Sequence, residues 1–209
     1  KMTFTLATSG SETDQRSVAM ASVFAPMVAE FADYQPGYNG TLFAQGTELE
    51  AIAGGNLTMS IASAQELAQF FPEFSIFATG YVHQDAAHQV RVFNDPLMDP
   101  FKKTAEEELG VKLLSVMYLG RRHVNLRQTR AELDVQTPAD LAGVNLRMPG
   151  TDAWQFLGSA LGASPTPLAF SEVYTSLSSG AIDGQDNPLP TVVDQKFYEV
   201  TKQIALTSH

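Results

Sequence analysis

Alternating apolar and polar residues predict short strands in the first half of the chain. Residues 3–7 are predicted to form the first strand, because Phe4 and Leu6 alternate there with threonines. Largely apolar segments bounded by glycine or polar residues predict three further strands, at residues 38–43, 57–61 and 111–118.

Helices are predicted between these strands. Ser11 or Thr13 is expected to cap a helix that runs to about Phe31. Three more helices are predicted, at residues 46–54, 63–70 and 97–109. Strands that alternate with helices are typical of an α/β lobe built on a central sheet.

After Arg127 the same alternation returns over shorter stretches. Thr137 followed by Pro138 predicts the start of a helix. Strands are predicted at residues 144–148 and 181–183, and helices at residues 152–161 and 170–178. The segment 120–127 is therefore predicted to join two lobes.

The composition of the chain excludes several classes of partner and site. The chain has 209 residues, is 44% hydrophobic and carries a formal net charge of -10. A nucleic-acid partner is excluded by this balance, because such a partner requires a basic face. The chain has no cysteine, which excludes disulfides and cysteine-based zinc sites. No apolar run reaches the length of a membrane-spanning helix.

Arg147 is the first candidate for binding chemistry. It lies at the end of a predicted strand, and ligands of open α/β sheets bind beyond the carboxyl ends of strands. Its planar guanidinium matches a carboxylate, although strand-end arginines more often form structural ion pairs. Arg121 and Arg122, in the segment between the lobes, are either solvated charges or a second cationic contact.

Residues 183–188 hold a cluster of turn-forming residues. They lack the spacing and the final glutamate of a calcium loop, so a calcium site is excluded. His83 and His88 do not have the spacing of a zinc protease helix. Complete catalytic motifs are also absent, which leaves an enzyme with paired carboxylates at Asp183 and Asp186 as a disfavoured alternative.

Four strings follow one another in the second half of the chain. They are Leu146-Arg147-Met148-Pro149, Ser164-Pro165-Thr166-Pro167, Glu172-Val173-Tyr174 and Asp183-Gly184-Gln185-Asp186-Asn187-Pro188. In order and spacing they resemble the solute-binding proteins of TRAP transporters, the DctP-type subunits that deliver organic acids to a sodium-driven permease.

The resemblance implies an α/β, two-lobed, periplasmic-binding-protein-like (type II) fold. Each lobe is expected to be a central mixed sheet flanked by helices, with hinge strands between the lobes. The first lobe is expected to comprise residues 1–121 and the second residues 122–209. Because members of this family continue well past the position of His209, further C-terminal elements are expected beyond it.

The resemblance also assigns roles to residues whose motifs match. Arg147 is expected to form a two-pronged salt bridge with a ligand carboxylate, and Arg122 to add a second contact. Asn187 is expected to touch the same carboxylate, and Phe170 to line the cleft. Closure of the two lobes on the ligand is the implied mechanism.

The resemblance is weaker in the first lobe, where ligand specificity is set. Ser63 and Glu66 stand where the sialic acid binders of the family carry an acidic residue and an arginine. Because a glutamate repels a second anionic group and accepts hydrogen bonds from hydroxyls, we expect a sugar acid or a related hydroxy or amino carboxylate. Glu48 is a further candidate for this lobe.

The implied partners are a small carboxylate and the small and large membrane subunits of a TRAP transporter. The protein is expected to be a periplasmic monomer, with no cofactor, metal or catalytic activity. A sensor or chaperone-like extracytoplasmic binder on the same fold is the alternative function, because it would share the carboxylate site.

Overall fold

The computed structural model describes all residues from 1 to 209 and divides them into two units, Lys1–Leu119 and Gly120–His209. The division lies two residues before the lobe boundary that the sequence predicts. Each unit has its own sheet and its own buried apolar clusters, and each is described by itself.

The first unit is built on a three-stranded sheet. Its strands are β1 (Met2–Ala7), β2 (Ala32–Gly37) and β3 (Met59–Ser60), in the order β2-β1-β3. Both pairs are parallel, so the described strands do not form the mixed sheet that the resemblance implies for this lobe. Parallel neighbours require a crossover connection, and the helix after β1 supplies the first.

That first helix runs from Gln15 to Val28 as α1 (Gln15–Ala19), a π-helical turn (Met20–Phe24) and α2 (Ala25–Val28). The prediction that Ser11 or Thr13 caps it is wrong. The cap is Asp14, whose side chain accepts a hydrogen bond from the backbone N–H of Arg16. A carboxylate at this position also pairs with the Arg16 guanidinium, which a hydroxyl cannot do.

The remaining helices of the first unit are short. They are α3 (Glu48–Ala53), α4 (Ala64–Leu67), α5 (Ser75–Ala78), α6 (Ala86–Asn94) and α7 (Asp99–Thr104), with 3₁₀ turns at Pro72–Phe74 and Pro96–Met98 and a π turn at Ala105–Leu109. Between them lies an apolar cluster that includes Leu49, Phe71 and Phe74.

Two strands predicted in the first unit are wrong. Residues 38–43 form turns, because Asn39 and Gly40 adopt left-handed backbone angles that interrupt a strand. Residues 111–118 are not a strand either, since no strand of the sheet pairs with them. Val111 in this segment belongs to the apolar cluster of the unit, whereas Leu114 is 66% exposed.

The second unit is built on a five-stranded mixed sheet. Its strands are β4 (Arg122–Leu126), β5 (Asn145–Met148), β6 (Ser164–Pro167), β7 (Gly184–Pro188) and β8 (Gln203–Ala205), in the order β6-β5-β7-β4-β8. Strand β5 pairs in parallel with β6 and β7, whereas β4 is antiparallel to β7 and β8.

Helices and 3₁₀ turns connect these strands. They are α8 (Asp152–Ala160), α9 (Val173–Ser179) and α10 (Leu189–Asp194), with 3₁₀ turns at Pro138–Leu141, Phe170–Glu172 and Phe197–Glu199. Thr151 caps α8 by accepting from the backbone N–H of Trp154. The predicted strand at 181–183 is wrong, because these residues form a bend and the strand β7 begins only at Gly184; the predicted turn at 183–188 is wrong, because β7 occupies residues 184–188.

Two apolar clusters are associated with this sheet. Leu146 and Met148 of β5 belong to the first cluster, together with Trp154 of α8. Phe170, Leu177 and other residues of the later helices form the second. Arg147 lies between Leu146 and Met148 on the strand, so its side chain points to the opposite face. The α/β class predicted from the sequence is confirmed.

None of the helices combines the length and apolar character that crossing a bilayer requires.

Candidate functional site

Charged and amide side chains gather at one edge of the second unit's sheet. Strands β5 and β7 end there with Arg147-Met148 and Asn187-Pro188, and β4 begins there with Arg122. The pairing of β4 with β7 places Arg122 opposite Pro188. This edge is therefore where the three residues that carry the sequence prediction come together.

Arg147 is almost completely buried, at 1% exposure. Its Nε donates to the backbone carbonyl of Leu168 at 2.9 Å, a bond that holds the guanidinium plane. Its Cζ lies 5.6 Å from the centre of the Phe170 ring. A guanidinium at this depth requires hydrogen-bond acceptors around it, because an isolated buried charge is strongly disfavoured.

Phe170 is buried at the start of a 3₁₀ turn and packs edge-on against Phe197, with the ring centres 6.2 Å apart. It belongs to an apolar cluster of the second unit. Its ring thus contacts both the core and the Arg147 guanidinium, which fits either a core residue or a residue that borders a ligand.

The guanidinium of Arg122 contacts an acidic and an aromatic side chain. Its Nε donates to Asp186 Oδ2 at 2.6 Å and its Nη2 to Asp186 Oδ1 at 3.2 Å, a two-pronged ion pair. Its guanidinium carbon lies 4.4 Å from the centre of the Trp154 ring, within cation–π range. These contacts fix the orientation of Arg122.

Asp186 is fully buried. Burial alone would raise the pKa of its carboxyl, but the charge of Arg122 and the hydrogen bonds from Arg122 and His209 hold that pKa well below its usual range. His209 Nε2 lies 3.0 Å from Asp186 Oδ2. Sequence reasoning missed this role, because residues 183–188 were predicted to form a turn and Asp186 was considered only as a catalytic carboxylate.

Asn187 is buried beside this ion pair. Its Oδ1 accepts from Arg122 Nη2 at 3.3 Å, and its Nδ2 donates to Gln185 Oε1 at 2.7 Å. Both amide atoms are thus oriented by neighbours on β4 and β7. Gln185, completely buried, is a second residue that sequence reasoning missed.

The first-unit candidates also lie near one another. Ser63 and Glu66 form a capping box at the start of α4, in which Glu66 Oε2 accepts from the backbone N–H of Ser63 at 2.6 Å. Burial raises the pKa of Glu66 to about 7, the Ser63 backbone hydrogen bond opposes this, and the negative charge of Glu48 adds to it.

Glu48 is buried at the start of α3, where its Oε2 accepts from the backbone N–H of Gly46 at 2.7 Å. Burial raises the pKa of Glu48, and the backbone hydrogen bonds oppose that effect. Glu48 and Glu66 are therefore two buried acids that already serve the local backbone.

The carboxylates considered for catalysis have structural partners. Asp183 Oδ2 accepts from the backbone N–H of Asn145 at 2.9 Å, and Asp186 is paired with Arg122. His83 and His88 are in ring contact, at 5.9 Å between centres. No cluster of three or more side chains suited to hold a metal ion occurs in the chain.

Residues 20–209 match the family described as "Bacterial extracellular solute-binding protein, family 7", also called DctP. The sialic acid-binding periplasmic protein SiaP of Vibrio cholerae is 32% identical over 161 residues, which cover 77% of this chain and 49% of that protein. The chain spans about half the length of the curated relatives it matches.

Two solved structures of TRAP periplasmic solute-binding proteins from Roseobacter denitrificans are also similar. The first, with bound 3-deoxy-D-manno-oct-2-ulosonic acid, is 78% identical and has a TM-score of 0.99. The second, with bound L-galactonate, is 27% identical and has a TM-score of 0.89. Each comparison covers 100% of this chain and 68% of the other. These similarities confirm the predicted family and fold.

Proposed function

Because the chain belongs to family 7 of the bacterial extracellular solute-binding proteins, we propose that it captures a sugar acid for uptake by a TRAP transporter. In this proposal the ligand is a small carboxylate, bound and released without reaction.

Buried Arg147 is the observation that carries the proposal. Its guanidinium lies at the carboxyl end of β5, where ligands of α/β sheets bind, and the Leu168 carbonyl fixes its plane. A carboxylate that meets this fork gains two parallel charge-assisted hydrogen bonds in a site with little water. We assign Arg147 the two-pronged contact with the ligand.

Arg122 and Asn187 are proposed as the second carboxylate contact. Asp186 already neutralises part of the Arg122 charge, so Arg122 supplies hydrogen bonds of fixed direction more than it supplies net charge. Phe170, beside Arg147, is proposed to pack on the carbon skeleton of the ligand.

A ligand of the 3-deoxy-D-manno-oct-2-ulosonic acid type is proposed, since the solved structure that holds this sugar acid is 78% identical to this chain. Such a ligand has one carboxylate and several hydroxyls. The buried acids Glu48 and Glu66, with Ser63, are proposed to accept hydrogen bonds from these hydroxyls and to disfavour a second anionic group.

The rest of the assignment follows the family. The partners are proposed to be the small and large membrane subunits of a TRAP transporter, the location the periplasm, and the protein a monomer that requires no cofactor. SiaP, a relative whose name includes "periplasmic", supports the location.

Calorimetric titration of the full-length protein with 3-deoxy-D-manno-oct-2-ulosonic acid tests the proposal. We expect Arg147→Ala to weaken binding more than about a hundredfold, because a buried anion loses its partner. Arg147→Lys keeps the charge but loses the fork, so we expect a weakening of roughly tenfold to a hundredfold.

Arg130→Ala is the matched control, because Arg130 lies in the same unit but is exposed and paired with Asp134. Its affinity should equal that of the wild type. An Arg147→Ala protein that binds the acid as tightly as the wild type does would refute the proposed site.

A further inference from the structure

A chain of buried amide groups leads away from Asn187 across three strands. Asn187 Nδ2 donates to Gln185 Oε1 at 2.7 Å, and Gln185 Nε2 donates to Asn125 Oδ1 at 3.2 Å. Asn125 Nδ2 then donates to the backbone carbonyl of Gln203 at 3.0 Å. We call Asn187, Gln185 and Asn125 the amide relay. All three side chains are buried, at 6%, 0% and 1% exposure.

Strand register makes the relay possible. Gln185 of β7 is paired directly with Asn125 of β4, so their side chains leave the sheet on the same face. Asn187 lies two residues further along β7 and shares that face. Arg147 of β5 is also paired with Gln185, so the relay and the ligand-binding arginine share one side of the sheet.

Both ends of the relay have a fixed hydrogen-bond character. At the far end the Gln203 carbonyl can only accept, which requires the nitrogen of Asn125 to face it. At the near end the Arg122 guanidinium can only donate, which requires the oxygen of Asn187 to face it at 3.3 Å. Both ends therefore require each amide to donate from its nitrogen in the direction from Asn187 towards Gln203. No amide in the relay can flip without breaking hydrogen bonds.

We propose that Gln185 and Asn125 are positioning residues, which hold the Asn187 amide so that its N–H, and not its oxygen, is what the site offers to an anion. The inference rests on the proposed function and adds specificity to it. An amide nitrogen carries two hydrogens, and Gln185 takes one of them. The other is suited to a carboxylate, which only accepts hydrogen bonds.

Without the relay, Asn187 loses the acceptor of its nitrogen at 2.7 Å and keeps only the 3.3 Å hydrogen bond from Arg122 to its oxygen. Its amide is then fixed at one end and no longer at both, so a larger fraction of molecules presents the oxygen to the ligand, where it repels a carboxylate but accepts a hydrogen bond from a neutral carboxamide. The relay therefore favours acids over their amides. A general loosening of the site would weaken both ligands to the same extent.

The test is Gln185→Met, which keeps a long unbranched side chain and removes both hydrogen bonds of Gln185. We expect affinity for 3-deoxy-D-manno-oct-2-ulosonic acid to fall about tenfold to a hundredfold. Affinity for its C1 carboxamide should fall much less. Asn125→Leu removes the acceptor of the Gln185 side-chain nitrogen. This variant should also weaken binding of the acid more than binding of the carboxamide, and it replaces Gln185→Met if that variant does not fold.

Thr201→Val is the matched control. The Thr201 hydroxyl accepts a second hydrogen bond from Asn125 Nδ2 at 2.8 Å, but the Gln203 carbonyl alone preserves the direction of the relay. We expect this variant to lose stability and to keep the acid-to-carboxamide affinity ratio within about twofold of the wild type.

If Gln185→Met keeps the wild-type ratio while Arg147→Ala abolishes binding, the relay is refuted and the proposed function stands. If Arg147→Ala binds the acid as the wild type does, the proposed function fails, and the relay is tested in the ligand-free protein. The measurement is then nuclear magnetic resonance of the Asn187 side-chain amide protons. Gln185→Met must shift them and speed their exchange with water, and unchanged protons would refute the relay.

Discussion

Buried charges at the residue scale are stabilised in two different ways. In the second unit, Asp186 is paired with Arg122, so each charge compensates the other. Removing one partner of such a pair costs about 3–5 kcal/mol, because the other charge is left buried alone. In the first unit, the Glu66 carboxyl accepts a backbone hydrogen bond from Ser63, and burial and the nearby acid Glu48 disfavour its ionisation more than the charge of Arg16 favours it.

The pKa of Glu66, raised by burial to about 7 from an ordinary 4.5, predicts a pH-dependent stability. Between these values the folded protein holds a proton that the unfolded chain has released. The unfolding free energy therefore falls as pH rises through this range, by on the order of 3 kcal/mol in total.

We expect Glu66→Gln to remove this loss of unfolding free energy at high pH, because glutamine keeps the capping-box acceptor and carries no charge. The variant should be more stable than the wild type at pH 8 and should differ little from it at pH 4.5. Urea unfolding at both pH values measures this difference. Glu50→Gln, at an exposed position of α3, is the control and should show no such contrast. A variant that is less stable than the wild type at pH 8 would contradict the interpretation.

Residue roles were predicted unevenly from the sequence. Arg147 and Asn187 could be named because they lie in recognisable strings, and Arg122 because it stands two residues after Gly120 in the predicted hinge; the structure places all three at one sheet edge. Their ligand roles stay predictions. Asp186 and Gln185 lie in the same string but were not assigned these roles, because their partners are reached only through strand pairing.

At the scale of elements, the hydrophobic pattern predicted a helix or strand correctly where one face of that element packs against an apolar cluster. Strand β1 and helix α8 were found in this way. The pattern failed for β7, a central strand of Gly-Gln-Asp-Asn-Pro in which every residue is buried. Hydrogen bonds to neighbouring strands stabilise its polar side chains, and a hydrophobicity pattern carries no information about them.

The connection from α8 to β6 depends on a close backbone approach. Gly162 has a left-handed φ of 95°, and a Cβ at this position would collide with the carbonyl oxygen of Pro138. We expect Gly162→Ala to destabilise the protein by roughly 3–5 kcal/mol, from conformational strain and the displaced backbone together. The midpoint of urea unfolding measures the loss.

Gly143→Ala separates the two contributions. Gly143 also has a left-handed φ, of 77°, but nothing lies within 4 Å of its added Cβ. Only strain remains there, so the expected loss is about 1–2 kcal/mol. Equal losses at the two positions would mean that contact with Pro138 does not constrain the connection.

At the scale of the whole molecule, an anionic ligand must bind to a protein whose net charge is -10. Binding therefore depends on local cations and fixed hydrogen-bond donors, since the long-range field of the protein repels an anion. In a ligand with one carboxylate and many hydroxyls, only one charged group is repelled by this field. In a ligand with a second anionic group, both charged groups are repelled, and the second is also repelled by the proposed acceptors Glu48 and Glu66.

Thermal unfolding of the full-length protein with a ligand panel tests this balance. A ligand at a hundred times its dissociation constant stabilises the folded state by about 2.7 kcal/mol. For a domain of about 150–250 residues that corresponds to a rise in melting temperature of roughly 5–10 °C. We expect this rise with 3-deoxy-D-manno-oct-2-ulosonic acid at millimolar concentration, and little or none with its carboxamide or with succinate.

The two comparison ligands test the carboxylate and the rest of the sugar acid separately. The carboxamide has the same hydroxyls without the charge, so its failure to stabilise would assign the affinity to the carboxylate. Succinate has a second charge and no hydroxyls, so it tests these two differences together. A larger rise with succinate than with the sugar acid would contradict the proposed ligand class, because the second charge would then have found a cation and not the buried acids of the first unit.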